Sequence, residues 1–461
     1  MDFMEHKMTV DVRLGRGLRA HVNAPEYVCV SGTSAREAVD ALLDTHPQLT
    51  AFVLDDARRL RPHVNLFIND ELVADRTELS DPVAEGDRLH ILPAVSGGAS
   101  VDGEIGLLVG TKKGLIVGCS DFRRMDWQWQ PLAFPGWNVD YAVFDEYSGR
   151  AWAAVSHMQW GPRLYWSNDG GLSWSETCTP SFDDGERTLE SIWAISGSPD
   201  GALYAGVMPA AVFVSCDAGD SWSELRTLSG DPTSETWMPG AAGLMFHHIS
   251  VDPTDPRRIV VGGSATGLYV SEDGGETWAA RNAGVRAEHM ALLPDGSEPT
   301  AGHCVHSMFA HPLQRGRIWQ QNHFGQYRSD DDGRSWIDVG EELPGEFGFA
   351  SAIEPRDPDT AWFVPLDFDQ SRMPRGGALT VYRTRDAGDS WDALRSGLPQ
   401  HDFHQTVYRQ ALGVDGLDPL GLYLGTSGGE LYASSDAGDS WRQIRGHLAA
   451  ITSVRAWSVA R

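Results

Sequence analysis

Six times between residues 167 and 441 the chain repeats one short pattern, Ser/Thr-x-Asp-x-Gly-x-x-Trp, at intervals of roughly 50 residues. The copies are Ser167-Asp169-Gly171-Trp174, Ser215-Asp217-Gly219-Trp222, Ser271-Asp273-Gly275-Trp278, Ser329-Asp331-Gly333-Trp336, Thr384-Asp386-Gly388-Trp391 and Ser434-Asp436-Gly438-Trp441. A worn seventh copy, GTKKGLIVGCSDFRRMDW, ends at Trp127. A fixed period of this length means that one supersecondary unit recurs and buries its apolar face against its neighbours. Each residue type has a local reason. Ser and Asp side chains bond the amides of a tight turn, glycine takes a dihedral closed to other residues, and Trp fills the gap between units. Asp169, Asp217, Asp273, Asp331, Asp386 and Asp436 are therefore read as structural, not catalytic.

The clearest repeat parses into four strands, HHISVDP, RIVVGGS, GLYVSED and TWAA, within residues 247–280. The first repeat starts at IGLLVGTKKG and lacks its first strand, whereas ITSVRAWSVA (451–460) is a strand without a repeat of its own. The pattern resembles the Asp-box of BNR, or sialidase-like, β-propellers. That resemblance implies an all-β seven-bladed propeller over residues 105–461, closed into a ring by the C-terminal strand so that no sheet edge is left open. The 17 tryptophans and 50 glycines suit such a repeat. Sialidase chemistry needs three arginines on a carboxylate, a Tyr–Glu pair and an acidic Asp. Arg123, Arg163 and Arg409 stand isolated, and no Tyr–Glu pair stands out. A sialidase-like glycoside hydrolase is kept as an alternative that rests on the boxes alone.

The first hundred residues read differently. MTVDVRL (8–14) alternates apolar and polar residues, as a half-buried strand does. A second short strand follows, then AREAVDALLDTHP, where Ala38, Val39, Leu42 and Leu43 recur at helical spacing between a Thr33-Ser34 cap and the stop at Pro47. VNLFIND (64–70) and DRLHILPAV (87–95) are strand-like. The order β-β-α-β-β fits a ubiquitin-like β-grasp, an α+β fold, so the whole chain is of mixed class. RPHVNLFIND followed by EGDRLHILPAVSGG resembles the MoaD/ThiS sulfur carriers, a family that includes archaeal ubiquitin-like modifiers. The resemblance covers nearly all of residues 8–98 and ends on Gly97-Gly98. It sets the domains at 1–98 (β-grasp), 99–104 (linker) and 105–461 (repeat).

The resemblance implies a chemistry that the carrier does not perform itself. A partner adenylating enzyme threads the terminal glycine to the α-phosphate of ATP, and glycine at the last two positions lets the backbone enter. Sulfur then replaces the adenylate to give a thiocarboxylate. The chain needs no intrinsic cofactor for this, and ATP enters only through the partner. Here, however, Gly98 is joined to Ala99. Activation at Gly98 thus implies a processing peptidase that cuts the Gly98–Ala99 junction, with ASVDGE (99–104) a small, polar substrate. The expected molecule is the precursor of a sulfur carrier or protein modifier, with the propeller as a binding scaffold. The alternative is an uncleaved interaction protein that takes a ligand or partner at the propeller mouth.

Histidines collect in the loops expected around that mouth: His157, His247, His248, His303, His306, His323, His401 and His404. His247 and His306 occupy equivalent first-strand positions in adjacent repeats, filled by Trp193 and Phe349 in two others. His247, His306, His303 and His323, with Glu190 and Asp367 as oxygen donors, form a candidate ligand or metal site. The net charge of −27 weighs against nucleic acid and against anionic membrane surfaces. No stretch is apolar enough to span a bilayer. Five scattered cysteines without a Cys-x-x-Cys argue against a disulfide framework and a zinc ribbon. A cytoplasmic location is the expectation, since residues 1–30 lack an apolar leader segment. Lys7, Lys112 and Lys113 are the only lysines. Codon bias explains that, as does avoidance of self-acylation in a protein handled by ubiquitin-like chemistry.

Overall fold

The computed structural model describes residues 9–14, 27–54, 58–60, 64–93 apart from 70, 74, 76 and 85, and 105–458 apart from 288–289, 292–295, 297–298 and 368–369. The chain divides near residue 100 into two compact units.

In the first unit, Thr9–Leu14 (β1) turns Val10, Val12 and Leu14 inward and leaves the intervening residues outward. It pairs antiparallel with Tyr27–Ser31 (β2) and parallel with Arg88–Pro93 (β5). Ala35–Thr45 (α1) starts in a reciprocal cap. Ser34 accepts from the Glu37 amide, while the Glu37 carboxylate accepts from the Thr33 amide at 2.8 Å. These bonds hold the Glu37 carboxyl below its usual value. The helix buries Ala35, Ala38, Val39, Leu42 and Leu43 in a core shared with Leu66, Leu89 and Ile91. A single short turn of helix, Thr50–Val53 (α2), follows. Val64–Ile68 (β3) and the two-residue Glu71–Leu72 (β4) complete a sheet of order β2-β1-β5-β3-β4. The result is a small β-grasp-like unit. The second helix and β4 are too short to have shown a period in the sequence.

The second unit contains, among the described residues, seven four-stranded antiparallel sheets. In chain order these are sheet I (138–177), II (191–224), III (245–280), IV (305–338), V (348–394) and VI (412–445). Sheet VII joins residues 105–129 to the C-terminal strand Ile451–Ser458. That strand lies antiparallel to Ile105–Thr111, with Val454 opposite Val109. The inner strands of this unit are buried on both faces, as in Ile105–Thr111 and Gly114–Ser120, where every residue is buried, whereas fourth strands such as Ile337–Asp338 are exposed. Alternation therefore gives way to continuous apolar runs.

The expectation of a closed propeller needs correction. The hydrogen-bonding ladders end within each four-stranded sheet, and no sheet closes on itself into a barrel or a ring. Ile451–Ser458 completes sheet VII and forms no ladder with a second sheet. Beyond its own sheet it makes isolated bonds: the Val454 amide and Arg455 Nη1 donate to the Gln410 carbonyl, and Thr452 Oγ1 donates to the Val139 carbonyl. The repeat period specifies the content of each sheet. Closure depends on contacts between sheets, which the period does not encode. The architecture is a β-grasp-like unit followed by a multi-sheet β domain.

Candidate functional site

Gly97, Gly98 and Ala99 lie outside the described residues. Their approach is described. β5 is the central strand of the first unit, bonded to β1 at Val12–Leu89 and to β3 at Leu66–Ile91. Leu89 and Ile91 are fully buried. A strand laddered on both sides does not peel, so the segment leading to the diglycine is rooted in the core.

In the second unit the repeated motif sits between the third and fourth strands of its sheets. Ser215 Oγ donates to Asp217 Oδ1 at 2.8 Å and accepts from the Gly219 amide at 2.9 Å. Asp217 also accepts from the amide and hydroxyl of Ser221, and Trp222 Nε1 donates to the Cys178 carbonyl at 3.0 Å. Gly219 has φ +92°, which a side chain would strain. Asp273, Asp331, Asp386 and Asp436 repeat this set with their own Ser or Thr. Asp169 accepts from the Leu172 and Ser173 amides. The bonds from Ser221 and Ser215 pull the Asp217 carboxyl down to about 2. Both oxygens of the Asp217 carboxylate thus bond within their own turn, as a structural staple does.

The first strands carry a second recurrent feature. Their ladders slip at Asp140, Trp193, His247, His306 and Thr452, and across Phe349–Ala350 in sheet V. A bulge swings its extra residue out of the ladder and re-aims the side chain. The equivalence of Trp193, His247, His306 and Phe349 is thus an equivalence of bulges. Gln410 reaches across the fold to these positions, its amide donating to the Trp193 carbonyl at 2.6 Å and the His247 carbonyl at 2.9 Å. Asp140 is buried, and desolvation raises its carboxyl to about 7 despite bonds from Ser156 and Asn138.

The histidines at the bulges are buried and neutral. His247 and His306 are 1% and 2% exposed, and burial drives both well below the usual imidazole value, helped by the nearby Arg409 cation. His247 Nδ1 meets His248 Nδ1 at 2.7 Å, and its Nε2 faces the Val305 carbonyl at 3.0 Å. His306 Nδ1 faces the Gly348 carbonyl at 2.6 Å and must donate to it. The ring packs among His323, Phe347 and Phe349 with centroids 4.8–5.4 Å apart.

Among the described residues one group has metal-ligand geometry. Cys304, His306 and His323 offer a sulfur and two ring nitrogens all within 4.8 Å of one another. Cys304 precedes the first strand of sheet IV, His306 is its bulge, and His323 lies in the turn between the second and third strands. The His323 amide donates to the Cys304 carbonyl at 3.0 Å and to Asn322 Oδ1 at 2.7 Å, which fixes the turn against the strand start. His323 also lines a cavity of about 260 Å³ with Phe324, Phe347, Asp367 and Arg375.

Of the candidate metal-site residues, His306 and His323 therefore come together, and Asp367 shares a cavity with His323. Glu190 is exposed, bonded through its amide to the Met208 carbonyl, and outside this group. His247 pairs with His248, and His303 is buried beside Cys304 in the chain. His157 packs against Trp137 with the rings tilted by 46°, and His401 and His404 are exposed. Cys304 and Arg409 are not among the sequence-based candidates for this site, and Asp140 is a buried acid elsewhere that no motif marks. For Cys304 a signal existed in Cys304-x-His306, which a search for paired cysteines does not see. The arginines considered for a sialidase clamp have separate partners. Arg163 pairs with Glu176 at 3.2 Å, Arg123 is exposed beside Phe122, and Arg409 lies over Phe349.

The sequence profile of the ThiS family matches residues 20–98. The sulfur carrier protein CysO of Mycobacterium tuberculosis is 31% identical over 93 residues, which is 20% of this chain and all of that protein. Small archaeal modifier protein 1 of Haloferax volcanii is 40% identical over 62 residues, 13% of this chain and 67% of its own length. Among solved structures, a GH74 xyloglucanase from Xanthomonas campestris superposes with a TM-score of 0.55 at 18% identity, over 77% of this chain and 52% of that one. At that identity the likeness is one of fold and does not extend to hydrolase chemistry. These likenesses do not support the expected sialidase-like identity.

Proposed function

Because the chain belongs, through its N-terminal domain, to the ThiS family of sulfur carriers, we propose that it is a carrier precursor activated at Gly98 after the Gly98–Ala99 bond is cut. One observation carries this reading. The family match ends on Gly98, the second residue of a Gly-Gly pair, in a chain that continues to Arg461. The freed carboxylate attacks the α-phosphorus of ATP on a partner adenylating enzyme and expels pyrophosphate. A sulfur nucleophile then displaces AMP and leaves a thiocarboxylate. The two relatives named a sulfur carrier and a modifier protein support the same class of partner for this chain. The β-rich domain, from residue 105, serves as a scaffold that binds the processing or acceptor machinery, with 99–104 as the linker that is cut.

Intact mass spectrometry of the protein from its native host tests the proposal. The expected species ends at Gly98, and part of it is heavier by the difference between sulfur and oxygen. Full-length protein alone, unchanged by Gly98→Ala, overturns the proposal in favour of an uncleaved interaction protein.

A further inference from the structure

We propose that Cys304, His306 and His323 bind a divalent transition metal of the zinc class, with its fourth position left open. The inference concerns the β-rich domain and does not depend on processing at Gly98.

Three features support it. The donor set is one thiol and two imidazoles, which suits a borderline-soft ion in tetrahedral coordination. Ligands about 2.0–2.3 Å from such an ion stand roughly 3.3–3.8 Å apart, so atoms already within 4.8 Å need only a small inward rotation. His306 is set in its tautomer from outside. Its Nδ1 donates to the Gly348 carbonyl, which leaves the lone pair on Nε2, as outer-shell bonds do in known metal sites. The backbone is fixed as well, since the His323 amide is bonded to the Cys304 carbonyl.

The surroundings are compatible. His306 is buried at 2% exposure, and its ring is held in place by its bond to the Gly348 carbonyl. The Cys304 thiol gives up its proton on binding such an ion, as a zinc-ligating cysteine does. Arg372, a nearby cation, lies over Phe349 at 5.7 Å. The phenylalanines around His306 and His323 form the apolar wall that restricts water at such centres. Of the three, His323 is the one that lines the 260 Å³ cavity, beside Phe324, Asp367 and Arg375.

The test uses the full-length chain purified without chelator or polyhistidine tag. Elemental analysis is expected to find about one zinc per chain, and Cys304→Ser and His323→Ala are each expected to lower affinity at least tenfold. Cobalt(II) added to chelator-stripped protein is expected to give a thiolate-to-metal charge-transfer band that Cys304→Ser lacks. A measurement on the unmutated chain guards against a folding defect in the variants. Iodoacetamide labelling of the half-buried Cys304 is expected to be blocked by zinc and restored by chelator, while the exposed Cys29, Cys178 and Cys216 label throughout. Wild-type protein that takes up neither zinc nor cobalt stoichiometrically overturns the proposal. So does Cys304 labelling that is indifferent to zinc.

Discussion

Arg124 and Asp415 form the most enclosed ion pair of the β-rich domain, with side chains 4% and 0% exposed and an Nε to Oδ2 distance of 2.7 Å. Burial alone would raise the Asp415 carboxyl. The guanidinium and the Leu417 and Gly421 amides reverse this and hold it below its usual value. Tyr423 Oη donates to the same carboxylate at 2.8 Å. Arg124→Met strands a buried charge and is expected to cost about 3–5 kcal/mol in urea denaturation, whereas Arg123→Met beside it is expected to change little. Asp140 has the opposite sign. Burial lifts its carboxyl from the usual 3.8 to about 7, so the folded form holds the proton more tightly. Wild-type stability from this group is then full below pH 4 and falls as pH rises through 7. Asp140→Asn is expected to match wild type near pH 4 and to exceed it at pH 8. A variant equally displaced at both pH values refutes this. Neither the ion pair nor the buried acid was legible in the sequence. Arg124 sits in the worn seventh motif, some 290 residues from its partner, and Asp140 resembles any other strand-edge acid until its burial is known.

Single elements were far more legible. The period of about 50 residues set out four strands per repeat, and the helix at 35–45 followed from the spacing of Ala38, Val39, Leu42 and Leu43. The bulges were not legible, because a one-residue slip leaves no compositional mark. Only the equivalence of His247 with His306 hinted at them. The last strand offers an element-scale test. Trp457 is 5% exposed, lies over Gly106 and stacks on Phe144 with ring centroids 5.3 Å apart. Trp457→Ala is expected to destabilise the domain by about 3–5 kcal/mol. A chain stopped at residue 450 exposes the buried edge of Ile105–Thr111 and is expected to aggregate in light scattering.

For the whole molecule, sequence reading separated a carrier-like beginning from a repetitive remainder, and it overreached where arrangement, not content, was at issue. The closed ring was inferred from a family resemblance, while the hydrogen-bond ladders stop at each sheet. The same ladders predict the outcome of a cut between the two units. Among the described residues no strand of the seven sheets comes from before residue 105, so a protease site engineered into 99–104 is expected to be cut without shifting the calorimetric melting of the β-rich domain. A downward shift on cleavage refutes this independence. The pairing of Ile451–Ser458 with Ile105–Thr111 also sets a timetable. The carrier domain leaves the ribosome first, but the sheet directly behind it waits for a strand made about 340 residues later, roughly 20–70 s at ordinary synthesis rates. During that interval the nascent chain presents a finished carrier joined to an unfinished neighbour, and a peptidase that cut on sight would release the carrier before the rest of the chain existed. Completion of sheet VII is the earliest moment at which separation yields two folded products.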